Sequence, residues 1–338
     1  MSLRNYILRR LLLLIPILLG VLVLVFIIAY IMPVDPARAW AGPKAREEQL
    51  EALRERYHLN DPLYMQIYYY LRNLFRGDLG ISATTHRPVL KDLSHFFPAT
   101  FELAITAFML AILMGIPLGV VSALKRNKIV DHFSRVVALT GVSTPLFWSA
   151  LLLQFFIYYK LGWLPAGGRC EVELQRITGF VLLDSLITRN MTAFVDSLRR
   201  LILPSFTLAF YSMGYLVRIT RGSMLEVLES EYIMTAKAKG LPSRVIIYRH
   251  ALRNAIIPPL TVLGINFGWL LSGTVLLETI FAWPGMGRYA AGSIVQVDLP
   301  AVVGYTLVTA LIMIFSNFTV DILYSIIDPR IRMGGKLE

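Results

Sequence analysis

Residues 103–124 read LAITAFMLAILMGIPLGVVSAL, an apolar stretch that contains no Asp, Glu, Lys or Arg. A bilayer core about 30 Å thick is crossed by about 20 apolar residues in a helix, which matches the length of this stretch. The same test finds five more charge-free runs, at residues 11–34, 136–159, 201–217, 254–277 and 299–320. The sequence therefore predicts an all-α polytopic membrane protein with six transmembrane helices.

The composition agrees with a lipid-facing protein. Hydrophobic residues make up 56% of the 338 and charged residues only 16%, whereas soluble domains carry about 25% charged residues. The net charge of +11 could indicate nucleic-acid binding or the Lys/Arg excess of cytoplasmic loops. The charge-free runs favour the second, so we expect no nucleic-acid partner. The single cysteine, Cys170, can form no internal disulfide and no cysteine-based metal site.

The distribution of basic residues predicts the orientation. With the N-terminus inside, the inner segments 1–10, 125–135, 218–253 and 321–338 hold 17 Lys/Arg and 7 Asp/Glu, whereas the rest holds 16 and 15. Because Lys and Arg accumulate in cytoplasmic loops, we expect a multi-pass protein of the cytoplasmic (plasma) membrane with both termini cytoplasmic. The first run exceeds the 7–15 residues, roughly, of a signal-peptide core, so we interpret it as a retained span.

Two segments outside the runs have a structure of their own. Residues 35–100 follow the first span on the outer side and are predicted to form an extracytoplasmic helical segment, with an amphipathic helix over 47–57. Residues 278–298 contain an apolar stretch that is too short to span and is interrupted by Pro284 and Gly285. Irregular backbone at membrane depth must be covered by protein or line a cavity. We therefore predict an outer cap or gate at Phe281, Trp283, Pro284 and Gly285.

Several kinds of chemistry are missing from the sequence. No charge-free run contains an acid or a histidine at its centre, which disfavours ion-coupled carriers and intramembrane hydrolases. No G-x-x-x-x-G-K-[ST] loop is present. We accordingly expect no catalytic residue, no metal site and no cofactor in this chain, and transport energy would have to come from a partner.

The segment between the fourth and fifth runs is mixed in polarity. A short helix is predicted to stop at Gly240, Pro242 blocks its continuation, and Ser243 is a suitable cap for a second helix. Small side chains at such a corner would let another protein approach closely. From these residues alone, a docking site and a solvated loop both remain open.

Motifs along the whole chain resemble one family. The run Glu231-Tyr232-x-x-Thr235-Ala236-x-Ala238-Lys239-Gly240, followed by His250-Ala251-Leu252-Arg253-Asn254, resembles the coupling loop of binding-protein-dependent ABC importers. The match is closest to the first permease subunit of the oligopeptide/dipeptide group. Further matching motifs are Asn60-Asp61-Pro62-Leu63, Gly77-Asp78-Leu79-Gly80, Glu278-Thr279-x-Phe281-x-Trp283-Pro284-Gly285-x-Gly287 and the tail Asp328-Pro329-Arg330-Ile331-Arg332.

The resemblance implies an architecture: a first transmembrane helix at 1–34, a five-helix permease core at 101–325 that includes a cytoplasmic coupling loop at 221–253, and a cytoplasmic tail at 326–338. It implies ATPase coupling by a set of residues in and after that loop, with Ala236 and Gly240 in the closest contact. The set comprises Glu231, Tyr232, Thr235, Ala236, Lys237, Ala238, Lys239, Gly240, Leu241, His250, Arg253 and Asn254.

The resemblance also implies partners and a substrate. These are a second homologous permease subunit, two ATPase subunits that bind ATP and Mg, an extracytoplasmic substrate-binding protein, and the lipid bilayer. Dipeptides or oligopeptides are the expected cargo, with oligosaccharides, nickel or glutathione as alternatives. A channel or ion-coupled carrier that acts alone is the alternative from another class.

Overall fold

The chain is all-helical in the residues that its computed structural model describes, namely 16–17, 19–25, 27, 35–42, 45–74, 76–272 and 275–327. Within these ranges the only β feature is an isolated bridge between Ile81 and Pro88. Most of the predicted first span at 11–34, and the tail from residue 328, lie outside the described residues. The all-α prediction is confirmed for the described part.

From Pro36 onward the described residues form fifteen α-helices, two of them extended by π-helical turns. The first seven are α1 Pro36–Ala41, α2 Glu47–Arg56, α3 Leu63–Leu74, α4 Val89–Leu124, α5 Ile129–Ser143, α6 Leu146–Leu153 with π-helical Gln154–Lys160, and α7 Val181–Ile187. The others are α8 Met191–Leu228, α9 Glu231–Ala238, α10 Ser243–Val245 with π-helical Ile246–Ala251, α11 Leu252–Ala255, α12 Ile257–Leu271, α13 Val275–Ile280, α14 Met286–Val295 and α15 Leu299–Ile327.

Helices α4 and α8 form the centre of the bundle. A stripe of small residues at every fourth position of α4, all buried, lies against α8 and consists of Ala107, Ala111, Gly115, Gly119 and Ala123. A Cβ added at Gly119 would lie 2.6 Å from the Cβ of Thr220, and one at Gly115 would lie 2.8 Å from that of Leu216. Small residues at this spacing let two membrane helices approach closely, and the order of the contacts makes α4 and α8 parallel.

Only part of the six-span prediction can be matched to single helices. Helices α4, α8 and α15 are long and apolar enough to cross a membrane. Two bent pairs, α5 with 146–160 and 243–255 with α12, raise the number to as many as five among the described residues. The run at 136–159 is not one straight helix, because its two halves differ in direction by 108°. Pro145 disfavours helical backbone at Thr144, which is extended at φ −85° and ψ 128°.

The second predicted span also differs in extent. Helix α4 begins at Val89, well before residue 103 and inside the segment predicted to be the extracytoplasmic insertion. Glu102 therefore lies within a helix rather than at its end. The charge-free test could not detect this, because it assumes that a carboxylate marks the edge of an apolar helix.

Candidate functional site

The predicted coupling loop turns at a glycine. Helix α9 ends with Gly240 at φ +74°, a left-handed conformation that glycine adopts without the steric penalty of a Cβ. The Gly240 amide donates to the Lys237 carbonyl at 2.9 Å, and the Leu241 amide donates to the Ala236 carbonyl at 3.3 Å. This pair of bonds is a Schellman motif, which satisfies carbonyls at the helix end. The predicted stop at Gly240 is confirmed, although the second helix has Pro242 rather than Ser243 at its N-cap.

One face of helix α9 packs on the rest of the chain. Ile233 and Ala236 are buried in a cluster with Met224, Ile246 and Ala251, among others. Ala236 was expected to be one of the two closest contacts to a partner. Its side chain is only 8% exposed in this subunit, and a contact with a partner stays a prediction. Its small side chain is explained by packing inside the subunit, between α8 and the helix that follows Pro242.

The other face of helix α9 is not covered by any of the residues that the structure describes. The exposed members of the predicted set are Glu231, Tyr232, Thr235, Lys237, Ala238, Lys239, Gly240, Leu241, Arg253 and Asn254, and His250 is half-buried. The Asn254 amide donates to the Tyr232 hydroxyl at 2.7 Å. This bond joins the two parts of the predicted motif, which are 22 residues apart, into one surface. Space is open where a Cβ would stand at Gly240.

Charged side chains that the sequence reasoning did not single out anchor this end of the bundle. The fully buried Asp131 accepts hydrogen bonds from the Arg221 guanidinium at 2.7 and 2.9 Å and from the Ser122 hydroxyl at 2.6 Å. Arg126 forms a further ion pair with Glu229 at 2.6 Å. Together these bonds tie α4, α5 and α8 at the base of the coupling loop. In the sequence, Asp131 and Arg221 appear only as loop charges, since nothing marks their pairing over 90 residues.

The predicted cap is a buried turn between two short helices. Phe281 and Trp283 are buried, and Pro284 is half-buried. The Trp283 indole N–H donates to the Ala99 carbonyl at 2.8 Å, and the Phe281 carbonyl accepts from the Gly168 amide at 2.8 Å. Residues 278–298 therefore do not form a regular span, as the sequence predicted. The aromatic side chains of the turn are anchored inside the subunit.

A buried carboxylate organises the turn from within. Glu278 is fully buried and accepts from the Thr100 hydroxyl and the Arg288 amide, both at 2.9 Å. The Met286 amide in turn donates to the Thr100 hydroxyl oxygen at 2.8 Å. A Cβ at Gly285 would come within 2.5 Å of both Glu278 and Thr100, so this position has room only for glycine.

The loop at residues 161–180 closes over the same end of the bundle. Arg169 donates two hydrogen bonds to one carboxylate oxygen of Glu102, at 2.6 and 2.9 Å, and a third to the Gly179 carbonyl at 2.7 Å. Burial lowers the pKa of Arg169, and the neighbouring Glu102 opposes this shift. Burial acts to raise the pKa of Asp184, but hydrogen bonds from Thr178 and neighbouring amides outweigh it and lower that pKa. The sequence contained no signal for the Arg169 pair.

The cap and the coupling loop lie at opposite ends of the bundle. Ala99 contacts the cap, whereas Ala123 belongs to the hydrophobic cluster under the coupling loop. The 24 residues between them in α4 correspond to about 36 Å at ~1.5 Å per residue. The two predicted sites are thus linked by one helix whose length is close to the thickness of a membrane.

A cavity lies between helices α1 to α3 and the start of α15. Its volume is about 490 Å³, within the usual range for small-molecule pockets. Tyr69 and Tyr70 of α3 line it together with Trp40, whereas Tyr64 and Tyr68 are exposed. In the described residues, no group of three or more His, Cys, Asp or Glu side chains is placed to hold a metal ion.

Comparisons with known proteins give one consistent result. Residues 115–333 match the family model described as "Binding-protein-dependent transport system inner membrane component", and residues 3–104 match the model for the N-terminal part of such a membrane component. A probable D,D-dipeptide transport system permease protein of Escherichia coli K12 is 49% identical, over 94% of both chains.

Two further relatives cover nearly the whole chain. A dipeptide transport system permease protein of Alkalihalophilus pseudofirmus is 44% identical over 97% of this chain and 99% of its own. A glutathione transport system permease protein of Escherichia coli O6:H1 is 37% identical with the same coverage. Among solved structures, an inward-facing MetNI methionine ABC transporter chain aligns with a TM-score of 0.51, over 70% of this chain and 96% of its own, at 14% identity.

Proposed function

Because the chain belongs to the family of binding-protein-dependent transport system inner membrane components, we propose that it is the membrane-spanning permease subunit of an ATP-binding-cassette importer for dipeptides and oligopeptides. It works with a second homologous permease, two ATPase subunits and an extracytoplasmic binding protein. Its six spans leave both termini in the cytoplasm. Nucleotide chemistry belongs to the ATPases.

The exposed face of helix α9 and its glycine corner is the observation that carries the proposal. This surface contains most of the residues predicted to couple to an ATPase. The buried side of α9 joins one hydrophobic cluster with Ala123 of α4 and Met224 of α8. A partner that moves the loop therefore moves the two longest helices with it. A rigid-body rotation of such helices is a common way to switch a transporter between two states.

The direction of transport follows from the two ends. The binding protein delivers the substrate at the end that contains the cap, and the ATPases act about 36 Å away along α4 at ~1.5 Å per residue. ATP binding draws the ATPases together and pushes the coupling loops, and hydrolysis resets them. The cap turn, fixed by Trp283 and Glu278, keeps the outer ends of α4 and α13 together during this movement.

Small peptides are the best-supported cargo. Relatives that cover nearly the whole chain are named for dipeptides, and one is named for glutathione, itself a short peptide derivative. Oligosaccharides and nickel are the other alternative substrates. An autonomous channel or ion-coupled carrier is the competing class.

Reconstitution in proteoliposomes tests the proposal. The chain is purified with its second permease and ATPases, and uptake of labelled dialanine, glutathione, an oligosaccharide and Ni²⁺ is measured with and without ATP and binding protein. We expect dialanine uptake that requires both. Uptake by this chain without ATPases would instead identify a channel or carrier, and ATP-dependent uptake of Ni²⁺ or oligosaccharide alone would overturn the peptide assignment.

A further inference from the structure

Three aromatic side chains and one arginine on two neighbouring helices form what we call the aromatic patch. It consists of Tyr211, Tyr215 and Arg218 of α8 and Trp269 of α12. The ring centroids of Tyr211 and Tyr215 are 5.4 Å apart, and those of Tyr211 and Trp269 are 5.6 Å apart. The Arg218 guanidinium carbon lies 5.5 Å from the centre of the Tyr215 ring. Positions three and four apart share one face of a helix, so α8 presents its three residues as a single row beside Trp269.

The rings of Tyr211 and Trp269 lie half-way along the bundle, and Arg218 lies about two helical turns nearer the coupling loop. Tyr211 is near the middle of α8, which spans Met191–Leu228. A Cβ at Gly268, the neighbour of Trp269, would meet Met313 and Ser316 in the middle of α15. Tyr and Trp on lipid-facing surfaces concentrate at the two membrane interfaces. An array of Tyr and Trp at mid-depth is therefore unsuited to contact with lipid chains.

Arg218 adds an unpaired positive charge to this surface. It is exposed, and in the part of the chain that the structure describes it has no carboxylate within ion-pair distance. Arg221, three residues further on, is by contrast bound to Asp131. Charged residues on membrane helices are retained mainly where they face water, a substrate or a partner group. An Arg above an aromatic ring also leaves its guanidinium edge free for a carboxylate.

We infer that the aromatic patch lines the water-filled transport path and that Arg218 binds the C-terminal carboxylate of a peptide in transit. The flat rings of Tyr211, Tyr215 and Trp269 offer contact area for varied side chains and backbone, while few groups fix one sequence. The identity of the ligand rests on the proposed function. The presence of a wet path at this face does not depend on it.

Cysteine labelling tests the wet path. In the Cys170→Ser background, Tyr211→Cys and Tyr215→Cys are expressed with the complete complex and treated with a charged, membrane-impermeant methanethiosulfonate. The control is Leu139→Cys, because Leu139 is 61% exposed on α5. It lies at the depth of Tyr211, since Gly141 of α5 is in close contact with Phe210, and Gly214 of α8 is in close contact with Ala138. Since only the thiolate reacts, we expect labelling of the two path positions at least about tenfold faster than of the control.

Labelling of Tyr211→Cys and Tyr215→Cys as slow as that of Leu139→Cys would overturn the inference, because the patch would then face lipid or a sealed contact with another subunit. This outcome is independent of cargo. A wild-type complex that takes up no dipeptide would refute the proposed function and leave the labelling result standing.

A second measurement tests the ligand. Uptake of dialanine is compared with uptake of its C-terminal amide by the wild type, Arg218→Gln and Arg218→Lys. A charge-assisted bond to the carboxylate predicts that Arg218→Gln raises the KM for dialanine by about tenfold, leaves the amide unaffected, and is partly rescued by Arg218→Lys. Equal changes for both compounds, or no change, would remove Arg218 from the substrate site.

Discussion

Breaking the buried pair of Arg169 and Glu102 gives the most direct test of the structure. Both side chains are almost fully buried, with 6% and 7% of their surface exposed. Arg169→Met removes the guanidinium and leaves the Leu182 amide, at 3.0 Å, as the one hydrogen-bond donor to the Glu102 carboxylate among the described residues. Removing one partner of a buried ion pair costs roughly 3–5 kcal/mol. For a protein of this size that corresponds to a fall in Tm on the order of 5–10 °C.

The measurement is the thermal unfolding midpoint of the purified complex in detergent. Arg176→Met, on the exposed part of the same loop, is the matched control and should leave the midpoint almost unchanged. The double variant Glu102→Leu, Arg169→Met should recover much of the loss, because replacing a buried ion pair by apolar residues is often neutral or stabilising. The reasoning would be refuted by an Arg169→Met midpoint equal to that of the control, or by a double variant less stable than Arg169→Met.

Three further outcomes are expected. Gly119→Ala should lower the Tm, because its Cβ would overlap Thr220 at a cost of roughly 1–3 kcal/mol. The control Gly222→Ala has open space around it and should leave the Tm unchanged. Equal midpoints for the two variants would contradict the close α4–α8 contact. Gly240→Trp should insert normally but lose either substrate uptake or binding of the ATPase subunits. Gly240→Asn should retain more uptake, because Asn tolerates left-handed backbone. Wild-type uptake by Gly240→Trp would contradict a coupling role. Impermeant thiol reagents should label His86→Cys from outside and Lys128→Cys from inside only, and the reverse pattern would invert the predicted topology.

The long helices were the part of the fold that the sequence predicted best. The charge-free runs of α4 and α15 reach the length of about 20 residues that crosses a bilayer. The run of α8, at 201–217, is shorter, and its helix continues past charged residues at both ends. Where the prediction failed, a local feature depended on a distant partner. Helix α4 extends N-terminal to its apolar run and includes Glu102. Arg169, 67 residues away, compensates the charge of that carboxylate. No pattern within α4 indicates this.

Proline positions were informative to different degrees. Pro284 lies in a short apolar segment, and its effect on the cap turn was predicted correctly. Pro145 lies inside a run long enough to span, so the 108° bend at that point was not expected. The anchoring of the cap to α4 also escaped prediction, since it rests on the hydrogen bond from Trp283 to Ala99.

The coupling loop was predicted in outline but not in its orientation. Gly240 was identified as a stop from its residue type. Ala236 was interpreted as an outward contact, because the sequence does not reveal which small residue on a short helix faces the rest of the chain. In the structure Ala236 is buried against the rest of the chain, whereas Lys237, Lys239 and Gly240 are exposed.

The stripe of small residues on α4 has a mechanical consequence. Since glycines and alanines bring the backbones of α4 and α8 into direct contact, the two helices have few long side chains between them to absorb a shear, and they behave as one stiff lever. A lever about 36 Å long at ~1.5 Å per residue, tilted by about 5° at its lower end, swings its upper end sideways by about 3 Å. That sweep is comparable to the width of a peptide backbone. If the loop is driven by ATPases as proposed, a small displacement there would be enough to open or close a gap at the predicted cap. A larger side chain at Gly115 or Gly119 would loosen the contact and reduce that displacement without touching either end.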